Sequence, residues 1–422
     1  MRMKFSKSSQ LVLVVVGSLL AATLVTACQQ LTQTLTVDFV YIASAKGAGG
    51  NNYGEIDVYE IDSESGRMRP IPTSPFPSLG RDPVAEAVSA DNENLFVVNQ
   101  LDNTIVQFSI GTDGKLYGQN TVNTPGIYPM AIAADKSFVF IVDTYQPLPL
   151  CSPAEPCAGA VGVFPVIPAT NSAPISLGNP VTNPAVSGPY WPLTLSGASA
   201  SHVVVPTAIT VLANGSDIFV SAYDSSVSPT VGYIFGFSVA ASGALTPLSN
   251  SPYPAGVQPT AIASDPSSTF VYATDLIKGN VLGYKVSASL TPLAGSPFPA
   301  GNQPSAIVVN PSYPYVYVAN SLDSNVEAYS YSTSSGQLSF LGGSSTPVTY
   351  ATGVQPVAIG IDPSTEHFVY TLNFLNNTIS DFEASTSSGT LLVAQDSPFA
   401  VSAQPTAVAA IPHNGTGGGL QQ

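Results

Sequence analysis

The stretch GSPFPAGNQPSAIVVNP at residues 295–311 restates NSPYPAGVQPTAIASDP at 250–266, and DSPFAVSAQPTAVAAIP repeats it again at 396–412. Its kernel, P-x-A before an aliphatic run, stands at Pro83, Pro129, Pro206, Pro259, Pro304, Pro356 and Pro405. The intervals are 45 to 53 residues, apart from one of 77. A unit recurring at this period cannot bury its apolar face alone and must stack on copies of itself. The same order of β signals returns inside each unit. PSAIVVNP is a short strand closed by an Asx-Pro turn, and YVYVAN is β-branched and aromatic. SNVEAYSYS alternates in polarity, and SGQLSFLG supplies a Gly turn and a fourth strand. Four strands per unit predict the blade of a β-propeller.

Counting sets the blade number. Six complete units begin at residues 83, 129, 206, 259, 304 and 356. The N-terminal DFVYIAS, GEIDVYEID and GRMRPIPTS have the later strands of a unit but no leading one, whereas PTAVAAIP near the C-terminus is a leading strand with nothing after it. Together they make one more blade. The expected fold is all-β, a seven-bladed β-propeller of four-stranded blades over residues 38–412, its ring closed by a C-terminal inner strand that completes the N-terminal blade. Closure leaves no long exposed edge. The composition agrees, with 35 Gly, 37 Pro and only 9% charged residues against 44% apolar ones.

Residues 1–27 have the pattern of a processing signal. Arg2, Lys4 and Lys7 precede the apolar LVLVVVGSLLAATLV, which is short for a membrane span. The run ends in VTAC, which resembles a bacterial lipobox with Cys28 as the lipidated residue. Acyl chains on Cys28 would anchor the chain to a membrane at about 0.8 kcal/mol per buried CH₂. Residues 28–37 would then be a tether and 413–422 a tail. Gln29 resembles an outer-membrane address, so the expected location is the cell envelope, lipid-anchored, facing the periplasm or the surface. Loss of the three basic residues leaves eight Lys and Arg against 26 Asp and Glu, net −18 (8 − 26). That excludes a basic patch and disfavours nucleic acid as a partner. Cys151 and Cys157 in CSPAEPC suit a local disulfide in an oxidising compartment. No metal site and no cofactor is expected from the three histidines, His202, His367 and His413.

PTAIASDPSSTFVYATDLIKGNVLGYKV and PSAIVVNPSYPYVYVANSLDSNVEAY resemble the lactonase-like seven-bladed propellers, which include YVTN-type repeat proteins, 6-phosphogluconolactonases and the carboxymuconate-lactonising enzyme. The resemblance covers roughly residues 38–412. The enzymes of that group carry a G-P-R-H phrase at an inner strand and N-E at the end of the next. Here the matching phrases read QPTA at 258–261, QPSA at 303–306, QPVA at 355–358 and QPTA at 404–407. Thr274-Asp275, Asn320-Ser321 and Asn373-Phe374 stand where N-E would. The resemblance therefore implies the fold, while the family's Arg and His are missing from the matching places.

Several positions break the repeat. The fourth place of P-x-A-x is Ile132, Ile209, Ile262, Ile307, Ile359 or Val408, but Glu86 in GRDPVAEAV. Glu86 near Arg81 is the candidate catalytic or cation-binding carboxylate; the bland alternative is a solvated channel group or a structural pair with Arg81. The set Asn99, Asp143, Asp275, Asn320 and Asn373 at second-strand ends is expected to cap turns, with a ligand set as the alternative. An insertion over about 145–203 in the third blade contains GPYWPL. An exposed Tyr190 and Trp191 there could stack a sugar or anchor a protein, or could pin the loop to its blade. Taken together, the residues suggest a lipid-anchored envelope propeller acting as a non-catalytic binding or scaffold module for a protein or glycan. The alternative is a lactonase hydrolysing a sugar or hydroxy-acid lactone.

Overall fold

The computed structural model describes residues 37–46, 50, 52–62, 65–170, 174–195 and 202–413; Cys28 and the signal segment lie outside them. Among the described residues there is no α-helix, only strands and two 3-10 turns, Gln100–Asp102 and Leu341–Gly343. Blade 1 takes Val37–Lys46, Glu55–Asp62 and Met68–Pro70 from the N-terminal end and its innermost strand, Ala403–Pro412, from the other. Blades 2 to 7 begin with innermost strands Pro83–Val88, Ile127–Ala134, Val204–Val211, Pro259–Ser264, Pro304–Val309 and Pro356–Ile361. Each innermost strand lies beside those of both neighbouring blades, and Ala403–Pro412 sits between Pro356–Ile361 and Pro83–Val88. The seven-bladed ring closed by the C-terminal strand is therefore the observed fold.

The core lies between blades. Between blades 1 and 2, Tyr41, Val58 and Phe39 pack on Leu95, Val97 and Phe108; between blades 5 and 6, Phe270 and Tyr272 pack on Val316, Val318 and Tyr331. The repeated tyrosines add directional ties. Tyr41, Tyr272 and Tyr317 on second strands donate to the carbonyls of Gly114, Gly336 and Gly389 in the next blade, at 3.1, 2.7 and 3.2 Å. Tyr284 and Tyr329 on third strands donate backwards to Pro254 and Pro299 of the preceding blade, at 2.6 and 2.7 Å. Each such bond contributes about 1 kcal/mol net, and burial of the ring contributes more.

The P-x-A phrase has a mechanical explanation. The register between innermost and second strand slips just after the proline, as between Pro304 and Ala306, so x is the extra residue of a β-bulge. Where x carries a hydroxyl it ties adjacent blades. Thr260 donates to the Pro304 carbonyl (2.7 Å), Ser305 to Pro356 (2.6 Å), and Thr406 to Pro83 across the ring closure (2.7 Å). In blade 2 the x residue is Val84, and Gln100 Nε2 reaches the Pro129 carbonyl instead at 3.3 Å.

The S-P-F-P half of the phrase is more than a crossover. Phe298–Pro299, Tyr253–Pro254 and Phe399–Ala400 each pair with a third strand as a two-residue fifth strand. The preceding Ser296, Ser251 and Ser397 accept the amides of Gly283, Gly236 and Asp381 at 2.9–3.0 Å. In blade 3 the same place is taken by Trp191–Pro192, paired with Ala160–Val161. Trp191 is thus 5% exposed in the core shared by blades 3 and 4, and Tyr190 is 8% exposed. Of the two readings, the exposed binding pair is corrected and the pinning of the loop to its blade is the one observed: the insertion returns to the blade through an aromatic that does the packing of a repeat phenylalanine. Cys151 and Cys157 form the expected disulfide, S–S 2.07 Å, within the same insertion.

Candidate functional site

The channel has a mouth where the innermost strands begin and the second strands end. The chain reaches it through a G-x-x-P turn, read at Gly80–Pro83, Gly126–Pro129, Gly256–Pro259, Gly301–Pro304 and Gly353–Pro356. The glycine is required by close approach. A Cβ on Gly126 would lie 2.5 Å from Asp143, one on Gly353 2.7 Å from Asn373, and one on Gly80 2.4 Å from Asn99. This is where four of the five Asx residues act; the expected cap fails at Asn99, whose buried side chain makes no hydrogen bond. Asp143 accepts the Gly126 amide at 2.8 Å, and Asp275 accepts those of Val257, Gln258 and Ile277 at 2.7, 3.2 and 3.1 Å. Asn320 and Asn373 donate to Asn325 and to Thr378 and Ser380. These side chains fasten turns and crossovers. Burial pushes the Asp143 carboxyl up to about 7, partly offset by the Gly126 amide and the Thr124 hydroxyl.

The residue before each proline forms the rim: Asp82, Tyr128, Gln258, Gln303, Gln355 and Gln404, with Val205 in blade 4. Five of them hold left-handed backbones, with φ of 57°, 59°, 55°, 60° and 61° at Asp82, Tyr128, Gln303, Gln355 and Gln404. Each such residue costs on the order of 1–3 kcal/mol and persists only where its surroundings fix it. Here the fixing is visible. The Asp82, Gln303 and Gln355 carbonyls accept amides of Gln100, Ser321 and Phe374 at 2.9–3.0 Å. The Tyr128 and Gln404 amides donate to Asn103 and Asn377 of the preceding blades at 2.7 and 2.9 Å. The backbone is spoken for, and among the described residues the four glutamine carboxamides make no hydrogen bond inside the protein.

Blades 3 and 4 raise the rim. Their second strands run on to Tyr145, which pairs with Ile127, and to Asp224, which pairs with Val204. Tyr145 stands edge-on to Tyr128, ring centroids 6.2 Å apart. Burial pushes the Tyr223 hydroxyl up, with a smaller push from Tyr145. Two residues before Val204, His202 Nδ1 meets Asp224 Oδ2 at 2.5 Å. Asp224 Oδ1 also accepts the amide and hydroxyl of Ser226 at 2.9 and 2.5 Å. Burial pushes this carboxyl up, but the Ser226 and His202 bonds outweigh it and hold it below the usual range.

The structure separates Arg81 from Glu86. Arg81 is exposed beside the rim, its Nε and NH2 at 2.6 and 2.5 Å from Asp102 Oδ1 and its amide 2.7 Å from Oδ2. Glu86 leaves the channel altogether. It points between blades 1 and 2, where desolvation raises its pKa well above normal and the Ala409 amide offsets little of this. Both carboxylate oxygens are buried without a well-formed hydrogen bond. The place it occupies holds an interblade aliphatic in the other six blades, which is the physical reason it cannot be a channel base. Sequence reading passed over Tyr128, Tyr145, His202 and Asp224. A signal existed: VSAYD in blade 4 sets its Asx residue two places later than the other blades do.

The comparisons agree with this architecture. A family model described as lactonase, 7-bladed beta-propeller, matches residues 184–405, just over half of the 422 residues. No curated protein matches. Among solved structures, a Bacteroides fragilis protein provisionally described as a 6-phosphogluconolactonase superposes with a TM-score of 0.67 at 16% identity, covering 90% of this chain and 99% of that one. The periplasmic gluconolactonase of Pseudomonas aeruginosa gives 0.65 at 17% identity, covering 89% and 99%. At these identities the superpositions establish shared fold, and the family match carries the assignment. This chain belongs to the lactonase family of seven-bladed β-propellers.

Proposed function

We propose that the channel mouth receives an uncharged, hydroxyl-rich ring, and that the chain is an envelope hydrolase of sugar or hydroxy-acid lactones. The observation that carries the ligand class is the rim itself. Free carboxamides both donate to and accept from hydroxyls, and Tyr128 and Tyr145 supply an aromatic wall for a sugar face. Membership of the lactonase family supports the reaction class. The similar gluconolactonase is described as periplasmic, which suits the lipobox-like VTAC at Cys28. The described chain starts at Val37, on the face opposite the mouth, since Asp38 pairs with Pro412 and Ser44 with Pro405. A phosphorylated lactone fits poorly: Arg81 is already matched by Asp102, and phosphate binding wants clustered cations.

A non-catalytic sugar-binding module is the second reading. It is favoured by Thr260, Ser305 and Thr406, which are committed to blade-to-blade bonds where the family phrase has arginine. Purified residues 30–422 should be tested on neutral sugar lactones, aliphatic lactones and a phosphorylated sugar lactone, with calorimetry on the product acids. Turnover strongest on neutral sugar lactones is the expected result. Binding without turnover would establish the module instead, and neither would sink both readings.

A further inference from the structure

Of the groups at the mouth, the His202–Asp224 pair is built like a base and its orienter. Asp224 is 2% exposed and saturated on one oxygen by Ser226, so its other oxygen is fixed as an acceptor toward His202 Nδ1. That assigns the proton of the neutral imidazole to Nδ1 and leaves the lone pair on Nε2. The His202 side chain is 33% exposed, and among the described residues Nε2 has no partner. The pair stands on the outward extension of an innermost strand, at rim level, in the blade whose rim residue is Val205 rather than an amide. His367 and His413, by contrast, sit away from the mouth: His367 precedes the second strand Phe368–Asn373 at its far end, and His413 packs edge-on against Phe39, 5.3 Å between centroids.

We propose that His202, oriented by Asp224, is the general base that activates water against the carbonyl of a lactone bound at the mouth. The inference rests on the lactone-hydrolase reading above. Nε2 takes a proton as the water oxygen bonds to the carbonyl carbon. The tetrahedral adduct then collapses by breaking the ring C–O bond, and the imidazolium returns its proton to the departing ring oxygen. Lactone and water give the open hydroxy acid, with the histidine restored. The rim amides are positioned to hold the ring; His202 is the group that moves the proton.

The test is the pH dependence of hydrolysis of a neutral sugar lactone, corrected for spontaneous opening, by the wild type, His202→Gln, Asp224→Asn and Ser226→Ala. The wild-type rate is expected to rise with pH along a limb that depends on His202. His202→Gln should lose that limb and roughly 10²–10⁴ of kcat with KM little changed. Asp224→Asn should fall steeply because the tautomer is no longer imposed, and Ser226→Ala less so. A His202→Gln enzyme with the wild-type profile would overturn the base while leaving a lactonase. Wild type inert to every lactone would overturn both. Thermal melts run in parallel expose a folding defect; should His202→Gln melt early, the wild-type profile decides, and a rate that does not change with pH overturns the proposal.

Discussion

Replacing Glu86 with isoleucine should stabilise this protein, and the gain should grow with pH. In blades 3, 4, 5 and 6 the same place holds isoleucine at 8–9% exposure, packed between blades. Glu86 puts two buried carboxyl oxygens there without partners, an arrangement that costs about 1–3 kcal/mol even when the group is neutral. Its folded pKa lies well above normal because burial penalises the charge. The sign follows. Below about pH 4 the carboxyl is protonated in both states; as pH rises the unfolded chain sheds the proton first. Native stability then falls by about 1.4 kcal/mol per pH unit until the folded pKa is passed. Isoleucine has no such dependence, and the other buried carboxyls, Asp38, Asp57 and Asp381, cancel in the comparison. For a domain of this size each kcal/mol moves the melting midpoint by roughly 1–2 °C. Melts of the wild type, Glu86→Ile and Glu86→Gln at pH 4, 5.5, 7 and 8.5 would measure it. Glu86→Gln should show the pH-dependent part and little of the rest. A gap that stays flat with pH, or a wild type that outlasts Glu86→Ile at pH 7, would refute the placement of this carboxyl.

Other consequences can be read in the same assay. Tyr317→Phe should cost about 1 kcal/mol by removing the bond to Gly389, whereas Tyr370→Phe should stabilise by about 1 kcal/mol, because it removes a buried hydroxyl that has no partner. Trp191→Ala should cost about 3–5 kcal/mol, since the ring fills the core between blades 3 and 4; a loss under 1 kcal/mol in chemical denaturation would mean that it does not.

The fold was legible because a ring of seven writes its own alignment. PSAIVVNP and YVYVAN recur at known intervals, and each recurrence checks the last, so blade number and ring closure followed from counting. What the count could not show is where a side chain points within the blade. Glu86 is on an innermost strand, yet that strand offers its faces to the neighbouring blades and only its edge to the channel, so a residue that departs from the repeat was mistaken for a channel group. Trp191 was harder still: nothing near it in sequence says that WP does the work of FP. Cys151 and Cys157 were easier, because six residues of separation leave little choice. The His202–Asp224 pair was hidden by a two-residue extension of the sheet, a matter of register that single-sequence spacing does not fix.

The same internal repetition separates architecture from function. Positions where the blades agree are under a packing constraint; departures that keep the backbone intact are free to serve a ligand. At the mouth these departures gather in blades 2 to 4: Arg81 and Asp82, Tyr128 with Tyr145, and His202 with Asp224. Tyr128 is the sharpest case. Its left-handed φ of 59° matches those of Gln303, Gln355 and Gln404, so glutamine can take its place with no added backbone strain. Its amide keeps the bond to Asn103 whatever the side chain. Tyr128→Gln should therefore leave stability within about 1 kcal/mol, losing only the edge contact with Tyr145. If a sugar ring rests on this wall, the loss of about 0.5–1.5 kcal/mol of aromatic contact should weaken binding roughly two- to tenfold. Titration of the product acid, with KM for the lactone beside it, measures this directly. Unchanged affinity in a well-folded Tyr128→Gln would move the ligand to the glutamine side of the rim, over blades 5 to 7 and the closing strand.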